Sequence, residues 1–159
     1  MDPTALTGAG VAAGVLATAS AAGVWLRRST GRLRPVRGAA DSGGPPSADP
    51  IADLLAGLGV VPGTPATLVQ FSSAFCAPCR AARRVCTEVA AMLEGVGYVE
   101  VDAESHLAAV RALRVWRTPT VLIVDGAGRV VRRATGVPGK AQVIAAVAPL
   151  LADAAAAVP

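Results

Sequence analysis

Cys76-Ala77-Pro78-Cys79 places two thiols three positions apart, where a nearly continuous β-branched run, Ala66 to Ser72, gives way to helix-periodic sequence from Pro78 to Leu93. A thiol at a helix N-terminus meets unpaired backbone N–H groups and the positive end of the helix dipole, and both favour the nucleophilic thiolate. Pro78 suits the first helical turn, where its missing N–H costs nothing. Cys79, one turn on, is placed to close a disulfide back to Cys76. The spacing predicts Cys76 as the exposed attacking sulfur and Cys79 as the shielded resolving one, surrounded by Phe75, Ala77 and Pro78. Cys-x-x-Cys alone is a weak signal; with a proline at a strand-to-helix junction it is a strong one.

A second element is Arg117-Thr118-Pro119-Thr120, directly before the apolar run Val121 to Val124. A proline entering a strand is a candidate for a cis peptide bond, the alternative being an ordinary trans proline at a sheet edge. The other candidate ligands read more plainly. Cys76 and Cys86 on one helix would stand about 15 Å apart, whereas zinc holds each thiolate at about 2.3 Å. A site made of Cys76, Cys79, Cys86 and His106 is therefore not expected, and neither is any other metal or cofactor. Cys86 reads as a small buried hydrophobe, His106 as a surface residue, and Arg80, Arg83 and Arg84 as a solvated helix face able to steer acidic partners.

The elements that must position the two sulfurs alternate along the chain. Helices are expected at Ile51 to Leu58, Pro78 to Leu93 (Val85, Val89, Met92 and Leu93 inward), Ser105 to Leu113 and Lys140 to Leu151. The third of these is expected to be capped by Asp102, Glu104 or Ser105. Strands are expected at Ala66 to Ser72, Gly97 to Asp102, Thr120 to Val124 and Arg129 to Thr135, the last two joined through Asp125-Gly126. Helix-linked parallel strands followed by a hairpin give an α/β fold: a mixed four-stranded sheet between two helical layers.

Composition adds a membrane. Hydrophobic residues are 53%, charged residues 16% and mean hydropathy +0.51, which is apolar for a soluble chain. After a short N-terminus (residues 1–4), residues 5–26 are uncharged and long enough to span a hydrocarbon core of roughly 30 Å. Asp2 is the only charged side chain ahead of them, which argues against a cleaved signal peptide. Arg27, Arg28, Arg32, Arg34 and Arg37 follow, so the positive-inside rule keeps the C-terminal side in the cytoplasm of a single-pass membrane protein. Residues 27–50 read as a basic, then Gly/Pro-rich, flexible linker, and 51–159 as the folded domain. Aromatics are 3%, and five of the fifteen basic residues crowd that juxtamembrane stretch, so nucleic-acid binding is not expected.

Val69-Gln70-Phe71, Phe75-Cys76-Ala77-Pro78-Cys79-Arg80, Val99-Glu100-Val101-Asp102 and Thr118-Pro119-Thr120 together resemble the thioredoxin superfamily over about Ala66 to Val147, and the N-terminal span resembles its membrane-tethered bacterial members. The resemblance implies a thioredoxin-like three-layer sandwich and a thiol–disulfide oxidoreductase. In such a protein Cys76 attacks, Cys79 resolves, Pro119 is cis, and the backbone at Thr118 pairs with substrate. It further implies protein disulfide substrates and an upstream reductase or electron donor as partners. Two readings stand beside the reductase: a non-catalytic redox sensor or adaptor of a membrane partner, and an extracytoplasmic enzyme of disulfide or cytochrome maturation. The departures are Gln70 and Tyr98, where the family commonly holds a buried Asp and Lys, Phe75 in place of Trp, and Ala77 in place of Gly. Glutamine forms hydrogen bonds but does not titrate, which implies a retuned potential.

Overall fold

The computed structural model describes residues 13–25, 30–36 and 49–157. Two compact units divide the chain between Thr30 and Gly31. The first is helical over residues 13–25 (α1), with its described side chains exposed. Among the described residues no helix is long and apolar enough to cross a membrane. The span expected at 5–26 is thus described only over 13–25. Residues 1–12 and 26, with Arg27, Arg28, Arg37 and the rest of 37–48, lie outside the described residues.

The second unit runs β1 (Arg34–Pro35), α2 (Pro50–Gly57), β2 (Ala66–Ser72), α3 (Ala77–Met92), β3 (Val96–Asp102), α4 (Leu107–Ala112), β4 (Thr120–Asp125), β5 (Val130–Thr135) and α5 (Lys140–Ala156). Five strands lie in the order β1-β5-β4-β2-β3, with β2 and β3 parallel and the other neighbours antiparallel. Every residue of β2 is buried, as a central strand covered on both faces requires. Successive side chains alternate between the faces. Ala66, Leu68, Val121 and Ile123 pack under α3 and α5 with Ala82, Cys86, Val89, Val143 and Val147. Val69, Phe71, Val101, Leu122 and Val124 form the opposite core with Leu55 of α2 and Ala109 and Leu113 at α4.

Three expectations are corrected. The sheet has five strands rather than four, because Arg34 and Pro35, read as linker, pair with Arg133 and Arg132 of β5. An arginine and a proline carry no strand periodicity, so only the free edge of β5 could recruit them. Met92 is 58% exposed rather than inward, since α3 ends there and Leu93 turns back to pack on the core. The helix α4 begins at Leu107 behind His106, with no side-chain cap. Asp102 instead accepts from Glu104 N–H (3.0 Å) and Ser105 Oγ, holding a turn that competes with helix initiation.

Candidate active site

β2 ends at Ser72, and Cys76 takes the N-cap position of α3 in an extended conformation (φ −107°). Its Sγ accepts the Cys79 N–H at 3.1 Å, a first-turn helix donor that also reaches Cys76 O at 3.1 Å. Cys76 and Cys79 form a disulfide, with their Cα atoms 5.2 Å apart. Cys76 is only 8% exposed and Cys79 3%, so in this oxidised form the first sulfur is far less open than the sequence suggests. The Cys76 side chain folds back over the helix end instead of standing clear of it. Ala77, Pro78 and Phe75 are exposed around the pair, Phe75 completely.

The Thr118–Pro119 peptide bond is cis. Thr118 Oγ1 and Ser73 Oγ share a hydrogen bond of 3.0 Å, which ties the loop carrying the disulfide to the loop carrying the cis bond. Pro119 O accepts from Gly136 N–H at 2.8 Å, and Thr120 Oγ1 donates to Arg117 O at 2.7 Å. At the other end of that loop the Arg133 guanidinium donates to Arg114 O (3.1 Å) and to Leu113 O. Arg133 thereby occupies the orphan carbonyls at the end of α4, next to Arg114 at φ +50°. Burial, followed by the nearby Arg114 charge, holds the Arg133 pKa below its usual value. Between the two clamps Trp116 projects into solvent, 88% exposed.

Beneath the disulfide, Gln70 is fully buried with both ends of its amide in use. Nε2 donates to Cys79 O at 3.0 Å, and Oε1 accepts from Tyr98 Oη at 3.3 Å. Tyr98 leads outward to Glu100, which accepts from Ser72 Oγ (2.8 Å) and pairs with Arg83 (2.7 Å). Burial alone would raise the Glu100 pKa; hydrogen bonds from Arg83 and Ser72 and the Arg83 charge outweigh it and hold the carboxyl below its ordinary value. Burial, reinforced by Glu100, pushes the Tyr98 hydroxyl up. Cys86 lies on the same face with no exposure, and burial followed by the Glu100 charge raises its thiol to about 12. At neutral pH it is a protonated, unreactive hydrophobe.

The tertiary structure thus brings Cys76, Cys79, Phe75, Ala77, Pro78, Thr118 and Pro119 to one end of the sheet, and leaves Cys86 buried beneath α3 and His106 at the start of α4. Arg80, Arg83 and Arg84 are all exposed, as expected of a solvated helix face, and Arg83 in addition pairs with Glu100. Sequence reasoning passed over Ser73, Glu100, Trp116 and Arg133. A lone tryptophan two residues ahead of the X-Pro was a usable signal for Trp116. The roles of Ser73 and Arg133 depend on partners 45 and about 20 residues away, which no local pattern carries.

A family model described as thioredoxin matches residues 60–149. A search of curated proteins finds no match. Among solved structures, a chloroplastic thioredoxin z is 25% identical, with a TM-score of 0.53 over 63% of this chain and 88% of that one. A thioredoxin variant from Halobacterium salinarum is 19% identical, with a TM-score of 0.52 over 60% and 81%. A thioredoxin from Fasciola hepatica is 22% identical, with a TM-score of 0.51 over 62% and 91%. The last two likenesses concern the fold alone. With a disulfide at the head of α3 and a matched stretch reaching from before β2 into α5, this chain belongs to the thioredoxin family and is a thiol–disulfide oxidoreductase.

Proposed function

We propose that this chain reduces or exchanges disulfides of other proteins while anchored to a membrane through residues 5–26, with its catalytic domain on the cytoplasmic side. The observation that carries the catalytic part is the Ser73–Thr118 bond, which sets a cis peptide beside the Cys76–Cys79 disulfide. In the reduced protein the Cys76 thiolate attacks one sulfur of the substrate disulfide, forming a mixed disulfide and expelling the other sulfur as thiolate. The Cys79 thiolate then attacks Cys76 Sγ, expels the second substrate sulfur and leaves the disulfide seen here. Two electrons and two protons pass to the substrate, and a dithiol reductant must restore the protein. The backbone at Thr118 is the strand-like partner for the substrate, and Phe75, Ala77 and Pro78 form the surface it first meets.

The apolar, uncharged stretch 5–26 and the arginines that follow it support the anchor and its orientation. The decisive measurement is reduction of a protein disulfide by the full chain in vesicles, supplied with dithiothreitol. Cys76→Ser is expected to abolish it, and a fully active Cys76→Ser protein would refute the assignment. Labelling in intact cells by an impermeant alkylating reagent reads the orientation: a domain accessible from outside overturns the cytoplasmic placement.

A further inference from the structure

The segment between α4 and β4 is tied down at both ends, yet it presents its largest side chains to solvent. Arg133 donates to Leu113 O and Arg114 O, Val115 N–H donates to Val110 O at 2.8 Å, and the Val115 side chain is buried. On the far side Thr120 Oγ1 donates to Arg117 O, and Thr118 Oγ1 is bonded to Ser73 Oγ. Trp116 and Arg117 stand between these ties, both exposed. The backbone is thus fixed so that an indole and a guanidinium flank the cis peptide. Phe75 is exposed on the opposing loop, two residues beyond Ser73 and next to Cys76. Two large rings held in water on either side of one disulfide form a surface suited to cover by a partner.

The charges beside these rings are of one sign. Arg80 lies four residues beyond the N-cap Cys76, one turn along the same side of α3, with about 6 Å between Cβ atoms at that spacing. The positive end of the helix dipole disfavours a cation there, and α3 has no acidic residue in its first turn to offset it. Arg117 precedes Thr118, so on a strand paired at Thr118 it reaches side chains within two residues of the one opposite, about 7 Å along the strand. Arg80, Arg114 and Arg117 are exposed and form no ion pair among the described residues. The acids of this end follow from β3, which lies on the other side of β2 from β4. There Glu100 is held by Arg83, and Asp102 by Ser105 Oγ and the Glu104 N–H. We propose that Arg80 and Arg117 select polypeptide disulfides carrying Asp or Glu beside the cysteine, with the substrate backbone paired at Thr118 and its apolar neighbours laid on Phe75 and Trp116. The selection rests on the reading above that the substrates are disulfides of other proteins, and it is independent of the anchor.

The test uses the full chain, reduced and freed of reductant, in phosphatidylcholine vesicles, whose surface carries no net charge. The probes are three synthetic peptides that differ only in the residues flanking the cysteine: Glu, Gln or Lys. Each cysteine is joined by a disulfide to the same uncharged cysteine peptide. Single-turnover oxidation of Cys76 and Cys79 is followed, and each rate is divided by that of the same probe with dithiothreitol, which removes differences in the reactivity of the disulfide itself. The Glu probe is expected to react roughly tenfold faster than the Lys probe at about 20 mM salt, falling to about twofold at about 500 mM. Arg80→Gln and Arg117→Gln are each expected to lower that ratio about threefold. Arg80→Glu combined with Arg117→Glu is expected to invert it in favour of the Lys probe, an outcome that loss of structure does not produce. Equal rates for the Glu and Lys probes, or a ratio that survives both glutamine substitutions, overturns the selection while leaving the oxidoreductase in place. A reduced chain that reacts with none of the three probes overturns the polypeptide-substrate reading and the selection together.

Discussion

Gln70 and Cys79 are joined by a hydrogen bond of 3.0 Å from a side-chain amide to a main-chain carbonyl, with Gln70 wholly buried. The site therefore needs a donor toward Cys79 and an acceptor toward the Tyr98 hydroxyl, and a neutral amide supplies both. Gln70→Leu leaves those partners unsatisfied and is expected to cost about 1–3 kcal/mol in urea unfolding. In Gln70→Glu, only the protonated carboxyl donates to Cys79 O. Its folded pKa must rise above the unfolded value of about 4.3. The contribution is then complete below that value and lost as pH rises through the folded pKa. The loss is about 1.4 kcal/mol for each pH unit separating the folded and unfolded pKa values. Unfolding midpoints at pH 4 and pH 8 check this: the variant falls further behind the wild type at pH 8, and equal deficits would refute it.

Cys79→Ser removes the sulfur that resolves the mixed disulfide while leaving the Cys76 attack intact. The variant is expected to accumulate a covalent adduct with a protein disulfide substrate, seen as a mass increase that dithiothreitol reverses. Cys76→Ser is expected to form none. Equal trapping by the two variants would mean that their roles are not divided as assigned.

Cys86 is expected to resist alkylation in the folded, reduced protein at pH 8 and to react once the chain is unfolded, because its thiol is pushed up to about 12. Stability takes the same sign. A folded pKa above the ordinary 9.0 gives stability that is complete below pH 9 and lost as pH rises toward 12. Tyr98, raised in the same direction, adds to that alkaline loss. Cys86→Ala is expected to flatten the fall in unfolding midpoint between pH 9 and pH 11, leaving the part due to Tyr98.

Gly31→Ala should detach the edge strand, since both the positive φ and the Val137 carbonyl oppose a Cβ. The expected signature is faster hydrogen exchange at Gly31 and Val36, whose N–H groups donate to Thr135 O and Val131 O, and proteolytic cleavage near residues 31–36. Reduction of a soluble disulfide is expected to continue, because the Cys76–Cys79 and Ser73–Thr118 contacts lie on other strands and loops.

Most of this fold was legible without coordinates because its elements follow from short-range physics. The β-branched run from Ala66 to Ser72 forms a strand with those same ends, since only a strand buried on both faces uses such a run. Cys76-Ala77-Pro78-Cys79 opens a helix because proline needs no N–H in the first turn. The boundaries that moved are those where a polar side chain had a choice: Asp102 holds a turn instead of capping α4, and the helix starts later for it.

The sequence by itself determined the two reactive sulfurs, their order at the helix end and the proline beside them, because each depends on residue type and local spacing. The three-dimensional fold alone decided how open Cys76 is, that Gln70 reaches both Cys79 and Tyr98, that Arg133 holds the loop bearing Trp116, and that the chain joins the sheet at Gly31. Each of these is a contact between residues distant in the chain, or an edge left free by other strands. Such contacts are set by how the layers pack, and no local periodicity records them.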